Sequence, residues 1–163
     1  MRIALLLVTT AAAAFIYFTT QSLPPHVASQ FGPGGAANSY MPRPAYLALM
    51  LFAACVVPWL AVLQINFALR RPNARINMPN RDHWLAPERR DATIAYITKW
   101  FTIFPLMISL VMAAVHWLVV QANTTSPPHI AEGSIMLILA ATLATTLVWL
   151  AMFYVRFGDG KGG

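Results

Sequence analysis

The sequence predicts an all-α integral membrane protein with four transmembrane helices and an interfacial helix before the third. Three observations predict it. Of the 163 residues, 58% are apolar and only 10% are charged, whereas a soluble domain has about 45–50% apolar and about 25% charged residues. Four runs, residues 3–20, 45–69, 100–122 and 135–155, contain no Asp, Glu, Lys or Arg, and about 20 apolar residues in a helix cross the ~30 Å hydrocarbon layer. Lys and Arg are also unevenly placed. Arg70, Arg71, Arg75, Arg81, Arg89, Arg90 and Lys99 share the 70–99 segment, while the other two loops hold only Arg43. This composition excludes a soluble globular domain and a disordered chain. With Cys55 as the single cysteine, a disulfide framework and a thiolate zinc site are excluded too.

The first run has two readings. Arg2, an apolar stretch and the small residues Ala11 to Ala14 also describe a secretory signal peptide. Tyr17 and Phe18 prolong the run to spanning length, which favours a retained helix. The loop over 21–44 is rich in Pro and Gly and predicts a turn-rich loop or a short hairpin. The second run follows at 45–69. In the 70–99 loop, Pro72 and Pro79 predict extended chain from 71 to 80. Pro87 suits the first position of a helix with Glu88 in its first turn. Ile94 and Ile97 carry the apolar face of that helix into the third span. Trp84 and Trp100 suit a membrane–water boundary. A short loop over 123–134 leads to the fourth span, and within the tail over 156–163 the glycine-rich part from Gly158 to Gly163 is expected to fray.

Orientation follows from the basic residues, which stay on the cytoplasmic side. The 70–99 loop, Arg2 at the start, and Arg156 and Lys161 at the end all agree. Both termini are therefore expected in the cytoplasm, with residues 1–163 forming one membrane domain. The net charge of +6 is then a topology signal facing anionic lipid rather than a nucleic-acid patch. The bilayer is the first expected partner, and nucleic acid is not one.

Chemistry-bearing residues are few. Pro58 and Pro105 lie inside spans two and three, where each removes a backbone donor and bends the helix. Gln64, Asn66, Thr142, Thr145 and Thr146 are of the type that hydrogen-bonds between spans. His116 is the one ionisable residue clearly within hydrocarbon. Such a group is a functional candidate by default, and a neutral histidine bonded to a carbonyl or water explains it equally well. His26 and His129 in the outer loops, with Glu132, make only weak metal candidates beside His116, since no ligand pair at helical spacing occurs. A haem between helices is weaker still, with His116 and Met50 as its sole ligand pair at similar depth. No catalytic motif, phosphate loop or buried carboxylate is present. The expectation is a protein that is not an enzyme and uses no cofactor.

Two polar segments resemble a bacterial family. Leu23-Pro24-Pro25-His26-Val27-Ala28-Ser29-Gln30-Phe31-Gly32, followed by Gly35, Asn38, Met41 and Arg43, resembles the LP…VA-x-HFG-x-DG…NGWM-S-R outer loop of a small membrane domain. That domain of unknown function also forms the front part of SdpI-like immunity and signal-transduction proteins. Ile76-Asn77-Met78-Pro79-Asn80-Arg81-Asp82-His83-Trp84-Leu85-Ala86-Pro87-Glu88-Arg89-Arg90 is similar to its NIPN-x-DYWLAPERR segment. Gln30, Gly34 and Tyr40 stand where the family has His, Asp and Trp, so a role that needs that His and Asp does not carry over. The resemblance implies an uncharacterised bacterial inner-membrane protein with a sensor or immunity role. In that reading Phe31, Gly32, Asn38, Tyr40 and Arg43 meet an extracytoplasmic peptide or protein, since restricted loops on a rigid scaffold are where binding residues concentrate. Asn77, Pro79, Asn80, Arg81, Asp82, Trp84, Pro87, Glu88 and Arg89 form a structural motif, with ion pairs and a helix cap, against the cytoplasmic end. The alternative is an accessory or structural subunit of a larger respiratory or transport complex, for which small residues in every span suit close helix contact.

Overall fold

Four helices are long and apolar enough to cross a membrane: Arg2–Thr20, Arg43–Leu69, Arg90–Ala122 and Gly133–Gly158. The computed structural model describes residues 1–69, 71 and 76–158, apart from the side chain of Glu132. Arg70, Pro72, Arg75 and the tail from residue 159, including Lys161, lie outside the described residues.

Helix α1 (Arg2–Thr20) buries Leu5, Thr9, Ala12, Ile16 and Thr20, one residue on each successive turn of a single face. Pro24 and Pro25 follow it, and the chain turns into a β-hairpin: β1 (His26–Phe31) and β2 (Ala37–Pro42), paired antiparallel. The hairpin is one of the two forms the Pro/Gly content allowed. Gly34 and Gly35 at φ 82° and 79° supply its turn, a left-handed conformation that costs glycine nothing. The register shifts between Ala28 and Gln30, so Ser29 bulges out of the ladder.

Helix α2 (Arg43–Leu51) starts on the residue after β2, with Pro44 in its first turn, where no donor is missed. It continues through a π-helical turn (Phe52–Val56) into α3 (Val57–Leu69). The wide turn lies immediately ahead of buried Pro58, which lacks the N–H that a regular ladder requires at that position.

Beyond the undescribed stretch, Pro79 and Asn80 make a turn rather than extended chain, and a four-residue helix α4 (Arg81–Trp84) follows. Pro87 does not begin a helix there. It takes the second position of a turn in which Ala86 O accepts from both Arg89 N and Arg90 N at 2.9 Å, a place its fixed φ favours. Helix α5 (Arg90–Phe101) thus starts three residues later. Only Thr102 separates it from α6 (Ile103–Ala122). A helix before the third span is therefore present as α5, and it runs through Thr102 into α6, the two together making the long apolar helix Arg90–Ala122. The offset at Thr102 lies one turn ahead of Pro105, which has no N–H for the carbonyl of Phe101.

Helix α7 (Glu132–Gly158) packs beside α6. From Gly133 to Met152 none of its residues is buried, and the first buried one is Phe153. Among the described residues Thr142, Thr145 and Thr146 do not bond across helices. Each returns its hydroxyl to a carbonyl one turn earlier in α7, at 2.7, 2.7 and 2.8 Å, because that acceptor is nearest when no polar neighbour is in reach. Two apolar clusters result. One, at the hairpin end, joins Ile16, Val27, Tyr46, Met50 and Val119. The other, at the basic end, joins Met78, Trp84, Ile97, Phe153 and Phe157.

Candidate functional site

The hairpin is bolted to the bundle at two points. Asn123, at the end of α6, treats the outer edge of β1 as a neighbouring strand would. Ala28 N donates to Asn123 Oδ1 at 2.9 Å, and Asn123 Nδ2 donates to Ala28 O at 3.0 Å and to Val119 O at 2.8 Å. Ala28 is fully buried, so these bonds satisfy groups that have no water to turn to. At the far tip, Ile130 N donates to Gly35 O at 2.8 Å and Ala37 N to Pro128 O at 3.2 Å. A Cβ at Gly35 would lie 2.0 Å from Ile130 O, so glycine is required there for close approach as well as for its φ.

Of the outer-loop residues singled out in the sequence, Asn38 and Tyr40 are exposed on the same face of β2, and Tyr40 is 53% accessible. Phe31 instead packs half-buried against the hairpin-end core. Gly32 belongs to the turn, where its N–H donates to Ala36 O at 2.9 Å. Arg43 is turned toward its own chain: Nη1 donates to Gln21 O and Leu23 O, both at 3.1 Å. Those carbonyls follow the end of α1, where cations are favoured. Arg43 thereby ties the end of α1 to the start of α2.

Beneath the hairpin, His116 is 0% exposed and joins three helices. Its Nε2 lies 2.7 Å from Thr19 Oγ1 on α1, and its Nδ1 lies 2.9 Å from Tyr46 OH on α2. The Thr19 hydroxyl donates its single proton to Phe15 O at 2.6 Å. It can therefore only accept from His116, which places the imidazole proton on Nε2 and makes Nδ1 the acceptor for Tyr46 O–H. One unbroken direction of donation runs Tyr46, His116, Thr19, Phe15. Every polar atom in it is satisfied with the ring neutral. Phe15 meets the ring edge-on at 5.6 Å between centroids.

At the opposite end, the second motif docks on the last turn of α7. Asn80, in the left-handed region at φ 49°, does not cap its own helix α4. Its Nδ2 donates to Phe157 O and Gly158 O, and Trp84 Nε1 donates to Phe157 O at 3.1 Å. Helix ends leave such carbonyls without partners, so amide and indole cap α7 from another element. Thr93 Oγ1 donates to Trp84 O at 2.8 Å, and the Trp84 and Phe157 rings meet edge-on at 5.3 Å. Arg156 lies 5.4 Å from the centre of the Trp84 ring and 5.7 Å from that of Tyr96, within cation–π range. Pro79 is half-buried beside buried Met78, whereas Asn77, Arg81, Asp82, Pro87, Glu88 and Arg89 are exposed. Arg89 Nη1 rests against the His83 ring. Among the described residues Asp82 and Glu88 form no ion pair. Rings and amides hold this segment in place of the expected charge pairs, because its acidic groups stay in contact with solvent.

The three histidines do not converge. His26 is exposed at the start of β1, His129 is exposed opposite Ala36, and both ring nitrogens of His116 are engaged. Among the described residues, no group of three His, Cys, Asp or Glu comes together to hold a metal. Met50 belongs to the apolar core. Sequence reasoning named Gly35 only within the outer-loop motif and missed Asn123, Thr19 and Tyr46. A signal for the last two was present: both lie within two turns of the same bundle end as His116, so matching depth along the spans would have paired them.

Fold and site together define a four-helix apolar bundle capped by a β-hairpin and pinned at its basic end by an Asn–Trp cap. Compared with models of known protein families, with curated proteins and with solved structures, the chain finds no match. The SdpI-like resemblance therefore stands on its motif residues alone.

Proposed function

We propose that the chain is a four-span protein of a bacterial cytoplasmic membrane that acts without catalysis as a sensor or immunity-type receptor of SdpI-like kind. The single observation that carries this reading is the clamped hairpin, which presents Asn38 and Tyr40 outward while Asn123 and Gly35 hold it rigid. A rigid ribbon with an exposed aromatic meets a partner at low entropic cost. Both termini and the 70–99 segment are cytoplasmic in this reading, supported by the basic bias of the sequence. The hairpin then faces an extracytoplasmic peptide or protein. Strand β2 runs directly into α2, and Tyr46, one turn along, holds His116. Tilting of the ribbon by a partner is thereby felt at a polar junction of three helices.

Two experiments test the reading. Exchange of residues 26–42 for Gly-Ser in a deletion strain should abolish rescue of its phenotype, and full rescue defeats the receptor role. A cysteine placed at position 36 in a Cys55→Ala background should react with an impermeant reagent only from outside; ready labelling from the cytoplasm defeats the topology.

A second reading is an accessory subunit of a larger respiratory or transport complex. It is favoured by α7, which buries nothing over residues 133–152 and leaves Leu137, Leu143 and Leu147 well exposed. Small residues Ala140, Ala141 and Ala144 share that stretch, which suits close helix contact as well as lipid. Purification of the tagged chain in mild detergent separates the two. A stoichiometric larger complex supports the subunit, and a lone chain or homodimer supports the receptor.

A further inference from the structure

A groove at the basic end, about 580 Å³ in volume, runs between the start of α1 and the end of α3, and Arg2, Trp59, Asn66, Phe67 and Arg71 all border it. Among the described residues no acidic group lines it, while two guanidinium groups do. Both are held in place. Arg2 Nη2 donates to Asn66 Oδ1 at 3.3 Å, and Asn66 is itself oriented by Nδ2 donating to Val62 O at 2.7 Å. The Arg71 guanidinium lies 4.5 Å from the centre of the Phe67 ring, within cation–π range, and a guanidinium so placed can fork its parallel N–H donors onto an oxyanion. The other wall is greasy: Leu63 and Phe67 are 64% and 66% exposed and look outward from the bundle. The site is amphipathic, cationic at its end and apolar along its length.

From this arrangement we infer that the groove binds one anionic phospholipid, its phosphate between Arg2 and Arg71 and an acyl chain along Leu63 and Trp59. Two arginines suit a phosphate because each presents parallel donors to its oxygens. A free phosphate ion shares that chemistry but has no use for the apolar wall, and a zwitterionic lipid brings a compensating cation to the same place. The inference rests on the membrane reading above, which is checked separately by whether the chain sediments with membranes and needs detergent for release.

The test uses the full chain in nanodiscs of phosphatidylcholine doped with phosphatidylglycerol, released gently and weighed by native mass spectrometry. The expected result is one phosphatidylglycerol retained per chain. In the Arg2→Gln/Arg71→Gln double variant its retention should fall roughly 30-fold, since each basic contact near an anionic surface contributes about fivefold. Arg81→Gln/Lys99→Gln removes the same charge at the same end outside the groove and should retain the lipid. Phe67→Leu keeps every charge, removes the platform under Arg71, and should weaken retention several-fold; it decides the matter if the double variant does not fold. Equal loss in groove and control variants, or no loss in any groove variant, overturns the inference. So does a thermal stabilisation by inorganic phosphate alone equal to that given by the lipid.

Discussion

Replacing Asn123 with Leu should release the hairpin while leaving the bundle assembled. The side chain is nearly isosteric, so the perturbation is chemical. Two bonds to Ala28 and one to Val119 are lost, and the buried N–H and C=O of Ala28 are left without partners. Each such group costs about 1–3 kcal/mol, so the two together cost about 2–6 kcal/mol. Tyr40 in the neighbouring strand is exposed, so water reaches the opened ribbon easily and the cost should fall toward the lower end. Even about 2 kcal/mol raises the open population of the hairpin by about 30-fold. Hydrogen exchange resolved over residues 26–42 reads that number directly. The single cysteine, half-buried Cys55 with its thiol 3.4 Å from Thr9 O, reports the bundle through thiol-dye melting. Exchange that speeds up by less than about threefold would refute the claim that Asn123 is what holds β1. Equal loss of hairpin and bundle would refute its local character.

Three further outcomes follow from the same geometry. Gly35→Ala should cost more than about 2 kcal/mol, because the αL backbone penalises a Cβ and that Cβ would strike Ile130 O; unchanged hydrogen exchange over residues 26–42 contradicts the close approach. A double-mutant cycle of Tyr46→Phe and His116→Phe should return a coupling of about 1 kcal/mol, and strict additivity would mean the 2.9 Å contact contributes nothing. Asn80→Ala combined with Trp84→Phe removes all three bonds to the last carbonyls of α7; at about 1 kcal/mol per bond, tryptic cleavage after Arg156 should accelerate by roughly 150-fold, and an unaltered rate would show that the cap is not made.

The sequence by itself determined the number of long apolar helices and, to within about three residues, the limits of all but the third, because a chain lacking charge over about 20 residues has few other uses; the third begins at Arg90, ten residues before the charge-free run. It also indicated where regular structure had to yield. Pro58 and Pro105 each lack an N–H, and the π-helical turn and the offset at Thr102 lie ahead of them. The Pro/Gly run over 21–44 allowed a hairpin but did not specify its register. Nor did it specify where the hairpin docks: Ala28 is held by Asn123, 95 positions further along the chain, and no local pattern encodes such a pairing. His116 stood out as an intramembrane ionisable group, yet its meaning came from Thr19 and Tyr46, which only helix packing brings to its two nitrogens. Arg43 and Phe31 appear in the sequence as a cation and an aromatic in an exposed loop. Tertiary structure turned one onto the carbonyls of residues 21 and 23 and the other onto the core. The same holds for Asn80, whose position before a short helix suggests an N-cap while its amide closes the end of α7 instead. Periodicity and charge are local properties of the chain, so they can be read residue by residue. A buried donor and its acceptor are matched only when distant segments meet, because the cost of leaving either one alone arises in the folded interior.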